Sequence, residues 1–279
     1  MISDKFLDGG LTLSSKKKIK FIKKTFREKG IILFKNIYKN HKDVLNFIDE
    51  VTLKYANDAN RREIFFGKKN IRGVDLGSHE IPLHSESSFT SNWPEVIWFY
   101  CLKNSESQKG KTTICDGMKL WNELSINTKS YFLANPFCFE LNLDIPKKNI
   151  KEKKWFFGEI GFDDTLIKYK EGKIKTKFTK FLVHKDKHRN KICFSNHIFS
   201  CIKNDEPQIK KFYPISKKKI PKKIINEIVQ KSKNIIYEHK WEKFDLLMIN
   251  NKRFLHGRRE IDNLSDRKII NIQSLETKL

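Results

Sequence analysis

His84 and Glu86 stand one residue apart in the run IPLHSESSF, residues 81–89. In an extended strand, positions i and i+2 project from the same face, so this spacing sets an imidazole beside a carboxylate. Two histidines and one carboxylate on one face of an octahedral iron(II), with three positions left open, form the ligand set of non-haem iron oxygenases. A third ligand is therefore required. Among the eight histidines, His256 in NNKRFLHGRREI ends an apolar run, whereas His184 and His188 lie in the charged segment VHKDKHRN and His239 follows Glu238. Arg267 lies eleven residues beyond His256, and none of the other seven histidines has an arginine at that offset. Two antiparallel strands about a turn at 262–266 would return Arg267 to the neighbourhood of His256. A His-x-acid pair alone carries little weight, because His41 with Asp43 and His184 with Asp186 repeat it. The combination carries the assignment.

The elements that must position these residues are mostly strands. KGIILFKNI (29–37) reads as a buried strand, and HKDVLNFIDEVTLKYA (41–56) spaces Val44, Phe47, Ile48, Val51 and Tyr55 along one helix face. EVIWFYCLKN (95–104) is an apolar strand, and the loop SESQKGKTTICDG leads into another short one. DGMKLWNELSINTKSYFLANP (116–136) predicts a helix capped by Asp116, with Leu120, Trp121 and Leu124 facing inward and Pro136 beyond its end. Residues 137–215 alternate apolar and polar positions and read as β-structure. IPKKIINEIVQKSKN (220–234) reads as a helix, and FDLLMINNKRFLHGRREI with RKIINIQSL as two closing strands around DNLSD. The pattern is α+β on antiparallel sheet, a jelly roll or barrel. No internal repeat or Pro/Gly/Ser linker divides it, which predicts a single domain over 1–279.

Composition narrows the partners. The net charge of +24 comes from 57 basic residues against 33 acidic ones, and only nine of the 57 are arginine. Arginine is the better bidentate reader of phosphates and bases, and the lysine runs SKKKIK, IPKKNIKEKK and SKKKIPKK are spread along the chain. A solvated lysine surface accounts for the charge better than a nucleic-acid site, and it leaves an acidic partner open. No stretch approaches the ~20 apolar residues of a membrane span, and the opening segment has no basic start followed by an apolar run, so a soluble, cytoplasmic protein is expected. Five cysteines without paired spacing support neither a disulfide scaffold nor a zinc knuckle.

The pattern His-x-Glu, a long insertion, then His with Arg eleven residues later resembles the iron(II)/2-oxoglutarate-dependent taurine dioxygenase superfamily. Within it, IPLHSESSFTSNWPEVIWFYCLKNSESQKGKTTICDG looks like the clavaminate synthase-like and syringomycin-type hydroxylases. The likeness runs from GIILFKN at residue 30 to Arg267 and is loose over 137–215. It implies a double-stranded β-helix core with flanking helices, iron(II) bound by His84, Glu86 and His256, and 2-oxoglutarate held through its distal carboxylate by Arg267 and Thr112. Thr113 leaves that choice open by one position, and the offset from Gly110 favours Thr112. Arg258 and Asn196 are candidate substrate contacts; Arg258, like Arg259, reads equally as a surface residue, and Asn196 as a packing or turn-capping one.

The implied reaction consumes 2-oxoglutarate and dioxygen and hydroxylates an unactivated carbon of an amino acid, free or tethered to a carrier protein. Desaturation and cyclisation start from the same hydrogen abstraction and stay open. Carrier domains are generally acidic, and the lysine surplus would suit one. Departures from the family sharpen the expectation. Asn250 and Asn251 stand where relatives show Asp-Asn, and Asn271 stands where taurine-acting members carry a further arginine, which argues against a sulfonate. Glu86 argues against halogenation, which needs a small residue there to admit chloride. The rival readings are a nucleic-acid- or protein-modifying oxygenase with the same ligands, and a non-catalytic basic binding protein.

Overall fold

Two antiparallel sheets face each other across an apolar layer, as in a jelly roll, and helices cover the outside. The structure, a computed structural model, describes residues 16–56, 62–74, 77–104, 109–144, 168–170 and 173–279. The opening segment, residues 105–108 of the expected loop and part of the expected β region, 145–167 with its lysine run, lie outside the described residues.

The larger sheet runs in the order Ile31–Phe34, Leu246–Asn250, Val96–Lys103, Lys268–Thr277, Lys68–Gly73 and Ile64–Phe65, with Thr52–Tyr55 also pairing Lys268–Thr277. Its central strands read as unbroken apolar runs because both faces are buried. Ile97, Phe99, Cys101, Leu247, Ile249 and Ile269 point into the layer between the sheets. Alternate residues Trp98, Tyr100, Leu246, Met248, Ile270 and Ile272 point the other way, against Ile22 and Phe26 of helix Lys16–Lys29 and Val44, Phe47 and Ile48 of helix His41–Val51. The smaller sheet has the order Tyr237–His239, Thr112–Asp116, Phe254–Arg258, Ile81–His84. Behind it, Leu83, Cys115 and Leu255 join a cluster with Phe137 and Phe139 of a third sheet and with Leu120, Phe132 and Ile228 of three helices. No described helix is long and apolar enough to cross a membrane.

Four expectations change. The predicted helix 116–136 is two helices, Gly117–Glu123 and Ile126–Ala134. Asp116 caps the first, as expected. Leu124 is extended, and Ser125 caps the second by accepting from the Thr128 N–H, itself fixed by Glu227, which accepts from the Ser125 N–H and hydroxyl. The helix from residue 41 stops at Val51, and Tyr55 belongs to a strand, because Thr52–Tyr55 find backbone partners along Ser274–Thr277. Ile198–Lys203, inside the expected β region, is a short helix. Finally, the apolar run ending at His256 is two strands in different sheets, Leu246–Asn250 and Phe254–Arg258. A turn separates them, with the Arg253 N–H donating to the Asn250 carbonyl at 3.0 Å and the Lys252 N–H to Asn250 Oδ1 at 3.0 Å.

Candidate metal centre

His84 is the last residue of the strand Ile81–His84, and it lies opposite His256 in the register of the smaller sheet. The approach of the two strands depends on Gly257. A Cβ at that position would stand 2.5 Å from the Ile81 carbonyl oxygen and 2.8 Å from Thr113 Oγ1. The two imidazole centroids are 4.5 Å apart.

Glu86 has left the strand. The chain turns at 86–89, with Ser87 in the left-handed region at φ 54°, so strand alternation is not what sets Glu86 beside His84. The loop is held from elsewhere in the chain. The Glu86 N–H donates to Asn251 Oδ1 at 2.8 Å, and Asn251 Nδ2 donates to the carbonyls of Glu86 and Pro94, each at 3.0 Å. Ser85 Oγ donates to the Asn251 carbonyl at 2.6 Å and accepts from Trp93 Nε1 at 2.7 Å. Lys180 Nζ donates to the Ser88 carbonyl at 2.8 Å. Ser85 and Ser88 are thus buried parts of the loop's scaffold.

The three side chains converge. Glu86 Oε2 is 3.6 Å from His84 Nε2 and 3.9 Å from His256 Nε2, and one donor atom from each residue lies within 4.8 Å of the others. It is the only cluster of three or more metal-ligating side chains among the described residues. With metal–ligand bonds of about 2.1 Å, two donors on one ion stand at most about 4.2 Å apart, so both separations from Glu86 suit a shared ion. His84 Nδ1 donates to the Pro82 carbonyl at 2.9 Å, which fixes the ring and presents Nε2 to Glu86. An N₂O set without a thiolate fits iron(II) or manganese(II) better than a structural zinc.

Electrostatics keep the carboxylate ionised. Burial would raise the Glu86 pKa, but Arg62 at 3.9 Å, then His84 and His256, hold it far below the ordinary carboxylate range. Burial works against a charged His84 too, yet the hydrogen bond and charge of Glu86 prevail and raise it. His256 goes the other way, pushed well down by burial and then by His84.

The three side chains open on a small cavity of about 50 Å³, whose polar lining adds Arg62, Thr112, Arg258 and Arg267. Thr112 is opposite Arg258 and Ile114 opposite His256, so Thr112 shares the cavity face and Thr113 points away, toward Gly257. Thr112 Oγ1 accepts from Trp241 Nε1 at 2.8 Å. Arg267 reaches the cavity by a route other than the expected one. The strand it precedes pairs with Val96–Lys103 and Lys68–Gly73 in the larger sheet, not with Phe254–Arg258, and the arginine approaches across the layer between sheets. Arg258 lines the cavity while its Nη2 donates to the carbonyls of Gly77 at 2.5 Å and His79 at 2.7 Å.

Asn196 is not brought to the cavity. Its Nδ2 donates to the Leu182 carbonyl at 2.8 Å and its Oδ1 accepts from the Ile198 N–H at 2.9 Å, so one end of the amide ties the segment to Leu182 and the other serves the turn before helix Ile198–Lys203. Arg259 pairs outward with Glu238 and Glu80. A larger cleft of about 270 Å³, whose lining includes Trp93, His184, Lys187 and Lys252, has no comparable ligand cluster among the described residues. Sequence reasoning missed Arg62, which sits in no motif, and the Asn251 clamp, whose only signal was an Asn-Asn pair in place of the relatives' Asp-Asn.

Residues 7–272 match the family described as taurine catabolism dioxygenase TauD, TfdA family. A comparison with the curated proteins gives no match. Among solved structures, PvcB from Pseudomonas aeruginosa superposes with a TM-score of 0.59 at 12% identity, over 91% of this chain and 78% of that one. PvcB is described as an Fe, alpha-ketoglutarate dependent oxygenase from an isonitrile synthetic pathway. A taurine dioxygenase from Burkholderia xenovorans gives 0.62 at 8% identity, over 93% and 80% of the two chains. AAD-2 in complex with Mn(II) and N-oxalylglycine gives 0.60 at 14% identity, over 95% and 90%. At these identities the shared property is the fold.

Proposed function

The chain belongs to the taurine catabolism dioxygenase TauD, TfdA family, and on that premise we propose that this iron(II)/2-oxoglutarate-dependent oxygenase hydroxylates an unactivated carbon of a small, amino-acid-like substrate, free or tethered to an acidic carrier protein. The overall change is R–H + 2-oxoglutarate + O₂ → R–OH + succinate + CO₂. Iron(II) supplies the oxidising chemistry when bound, and His84, Glu86 and His256 are the residues that would hold it. The observation that carries the reading is the convergence of these three side chains beside Arg267 in one cavity.

Each surrounding residue has a task within that reading. Arg267 offers a planar guanidinium, and Thr112 a hydroxyl, to the distal carboxylate of 2-oxoglutarate, since a dianion taken out of water needs both charge and directed donors. Phe99, Val74 and Ile269 keep the remaining wall apolar, which excludes water and protects the side chains from stray oxidation. Arg258 braces the wall through the Gly77 and His79 carbonyls. Asn271, at the position of the additional arginine of taurine-acting relatives, is buried and donates to the Trp98 carbonyl at 3.3 Å, so no sulfonate anchor stands there. The small-molecule class is supported by the structural likeness to PvcB, an oxygenase of an isonitrile synthetic pathway.

Anaerobic titration of the purified protein with iron(II) and 2-oxoglutarate tests the reading. A weak visible charge-transfer band is expected in the native protein and not in His84→Ala or His256→Ala. No band in the native protein overturns the oxygenase reading, and a band retained in both variants overturns the ligand assignment.

A further inference from the structure

Thr112 presents its side chain to the metal cavity, and its hydroxyl is held from behind. Thr112 Oγ1 accepts from the indole N–H of Trp241 at 2.8 Å, and Trp241 itself is not part of the cavity lining. We propose that Trp241 is a positioning residue for the cosubstrate: by donating to Thr112 it fixes the direction of the Thr112 O–H, and it thereby sets the preference of the site for a 2-oxo acid with a distal carboxylate. This inference rests on the oxygenase reading, with Thr112 as a cosubstrate contact.

A threonine hydroxyl carries one proton and two lone pairs and rotates to suit its partners, whereas an indole N–H only donates. Where the two meet, the oxygen turns a lone pair to the indole and its proton must point elsewhere. No acceptor for that proton stands among the described residues, and Thr112 lies on the cavity face in a lining it shares with Arg267. The proton is therefore left for a ligand of the cavity to accept, which a carboxylate can do. Donation into Oγ1 also polarises the O–H and makes it a stronger donor, and a hydroxyl already oriented loses little rotational freedom when the anion arrives.

The indole is itself fixed. Trp241 packs with Ile114 and Ile269 in the layer between the sheets, and its ring meets Phe99 and His239 edge-on, at 6.3 Å and 4.5 Å between centroids. Its carbonyl accepts from Asn104 Nδ2 at 2.9 Å. His239 lies opposite Thr112 in the register of the smaller sheet, and its Nε2 stands 3.2 Å from Asp245 Oδ2, which accepts from the Glu242 N–H at 3.0 Å. The segment 239–245 thus closes around the indole as the chain passes from the smaller sheet to the larger. A buried indole N–H needs some acceptor. Here the acceptor is the one hydroxyl among the described residues that line the metal cavity.

The test is anaerobic titration of the full chain, loaded with iron(II), with 2-oxoglutarate and with 2-oxobutyrate, which keeps the chelating end and lacks the distal carboxylate. The weak visible charge-transfer band reports both. Trp241→Phe keeps an aromatic ring and removes the N–H, and it should weaken 2-oxoglutarate by about 3- to 10-fold, the worth of one neutral hydrogen bond. 2-Oxobutyrate should stay within about twofold, since it presents no anion to the Thr112 hydroxyl. In a Thr112→Val background, Trp241→Phe should weaken 2-oxoglutarate no further, because the two residues act as one unit. The second variant carries 3-benzothienylalanine at position 241, which fills the volume of the indole with sulfur in place of the N–H, and it should show the same selective loss even if Trp241→Phe does not fold. Equal loss of the two 2-oxo acids overturns the proposal and leaves Trp241 a packing residue. So does additive loss in the double variant, or a 2-oxoglutarate affinity that neither Trp241 variant changes. A protein that never forms the band fails at the oxygenase reading, before Trp241 is reached.

Discussion

The side-chain amide of Asn251 closes a two-bond ring on the backbone of Glu86, accepting from its N–H at 2.8 Å and donating to its carbonyl at 3.0 Å. The carboxylate at the heart of the site is thus aimed by a residue 165 positions away. Asn251 imitates a strand neighbour at the point where the loop has left the sheet.

Asn251→Ala should therefore loosen the metal site and the fold together. The side chain's three hydrogen bonds to backbone groups vanish and leave those buried groups unpaired, a cost of about 2 kcal/mol or more. Metal affinity should fall by about 10- to 100-fold, the usual range for an outer partner of a ligand. Asn251→Asp should be no milder, because a carboxylate facing the Glu86 and Pro94 carbonyls repels both. Urea unfolding and competitive iron(II) titration check these outcomes. Unchanged metal affinity in Asn251→Ala would show that the clamp does not aim Glu86.

Gly257→Ala tests the approach of the two ligand strands. The new methyl meets backbone at 2.5 Å, and backbone cannot rotate away. The strand Ile81–His84 must shift, at a cost of about 1–3 kcal/mol for overpacking, and His84 moves with it. Iron(II) binding should weaken by more than the stability loss alone explains, as measured by titration at a temperature where the variant is fully folded.

The two threonines separate by face. Thr112→Val should weaken 2-oxoglutarate by about tenfold, the worth of one hydrogen bond to a charged group, and Thr112→Ser should restore it. Thr113→Val points away from the cavity and should leave that affinity unchanged. The charge-transfer titration reads both, and the reverse pattern would transfer the role to Thr113.

Lys180 gives stability a pH dependence of its own. Burial, and then Lys252, lower its pKa to about 7, against about 10.4 in an unfolded chain. Between those values the unfolded state binds more protons than the native one, so stability rises with pH across that window. Below about 7 both states are protonated and the buried ammonium exerts its full cost. Lys180→Met should hold its greatest advantage over the native protein near pH 6, and the gap should narrow steadily toward pH 10. Denaturant midpoints at stepped pH check this, and parallel curves would contradict it.

Much of the fold was legible because burial leaves a local trace. The unbroken apolar run along Val96–Lys103 marked a strand, Asp116 marked a helix start, and the rhythm of Val44, Phe47, Ile48 and Val51 marked a helix face. Local pattern also misled where a distant partner intervened. Tyr55 keeps helical spacing but pairs with Ser274, and Ser125 breaks a continuous apolar rhythm because Glu227 holds its amide and hydroxyl.

For the site, the sequence alone determined the chemistry on offer: the identities and order of His84, Glu86 and His256, and an arginine eleven residues beyond the last. Donor types and their spacing are covalent facts, and a family resemblance can be carried on them. Only the tertiary structure decided the geometry. It split the run before His256 between two sheets, brought Arg267 in from the far side, aimed Glu86 through Asn251, bound Asn196 into a turn and set Arg62 against Glu86. Each of these is a contact between residues far apart in the chain, fixed by the closing of two sheets around a shared core, and no local spacing rule encodes such a contact.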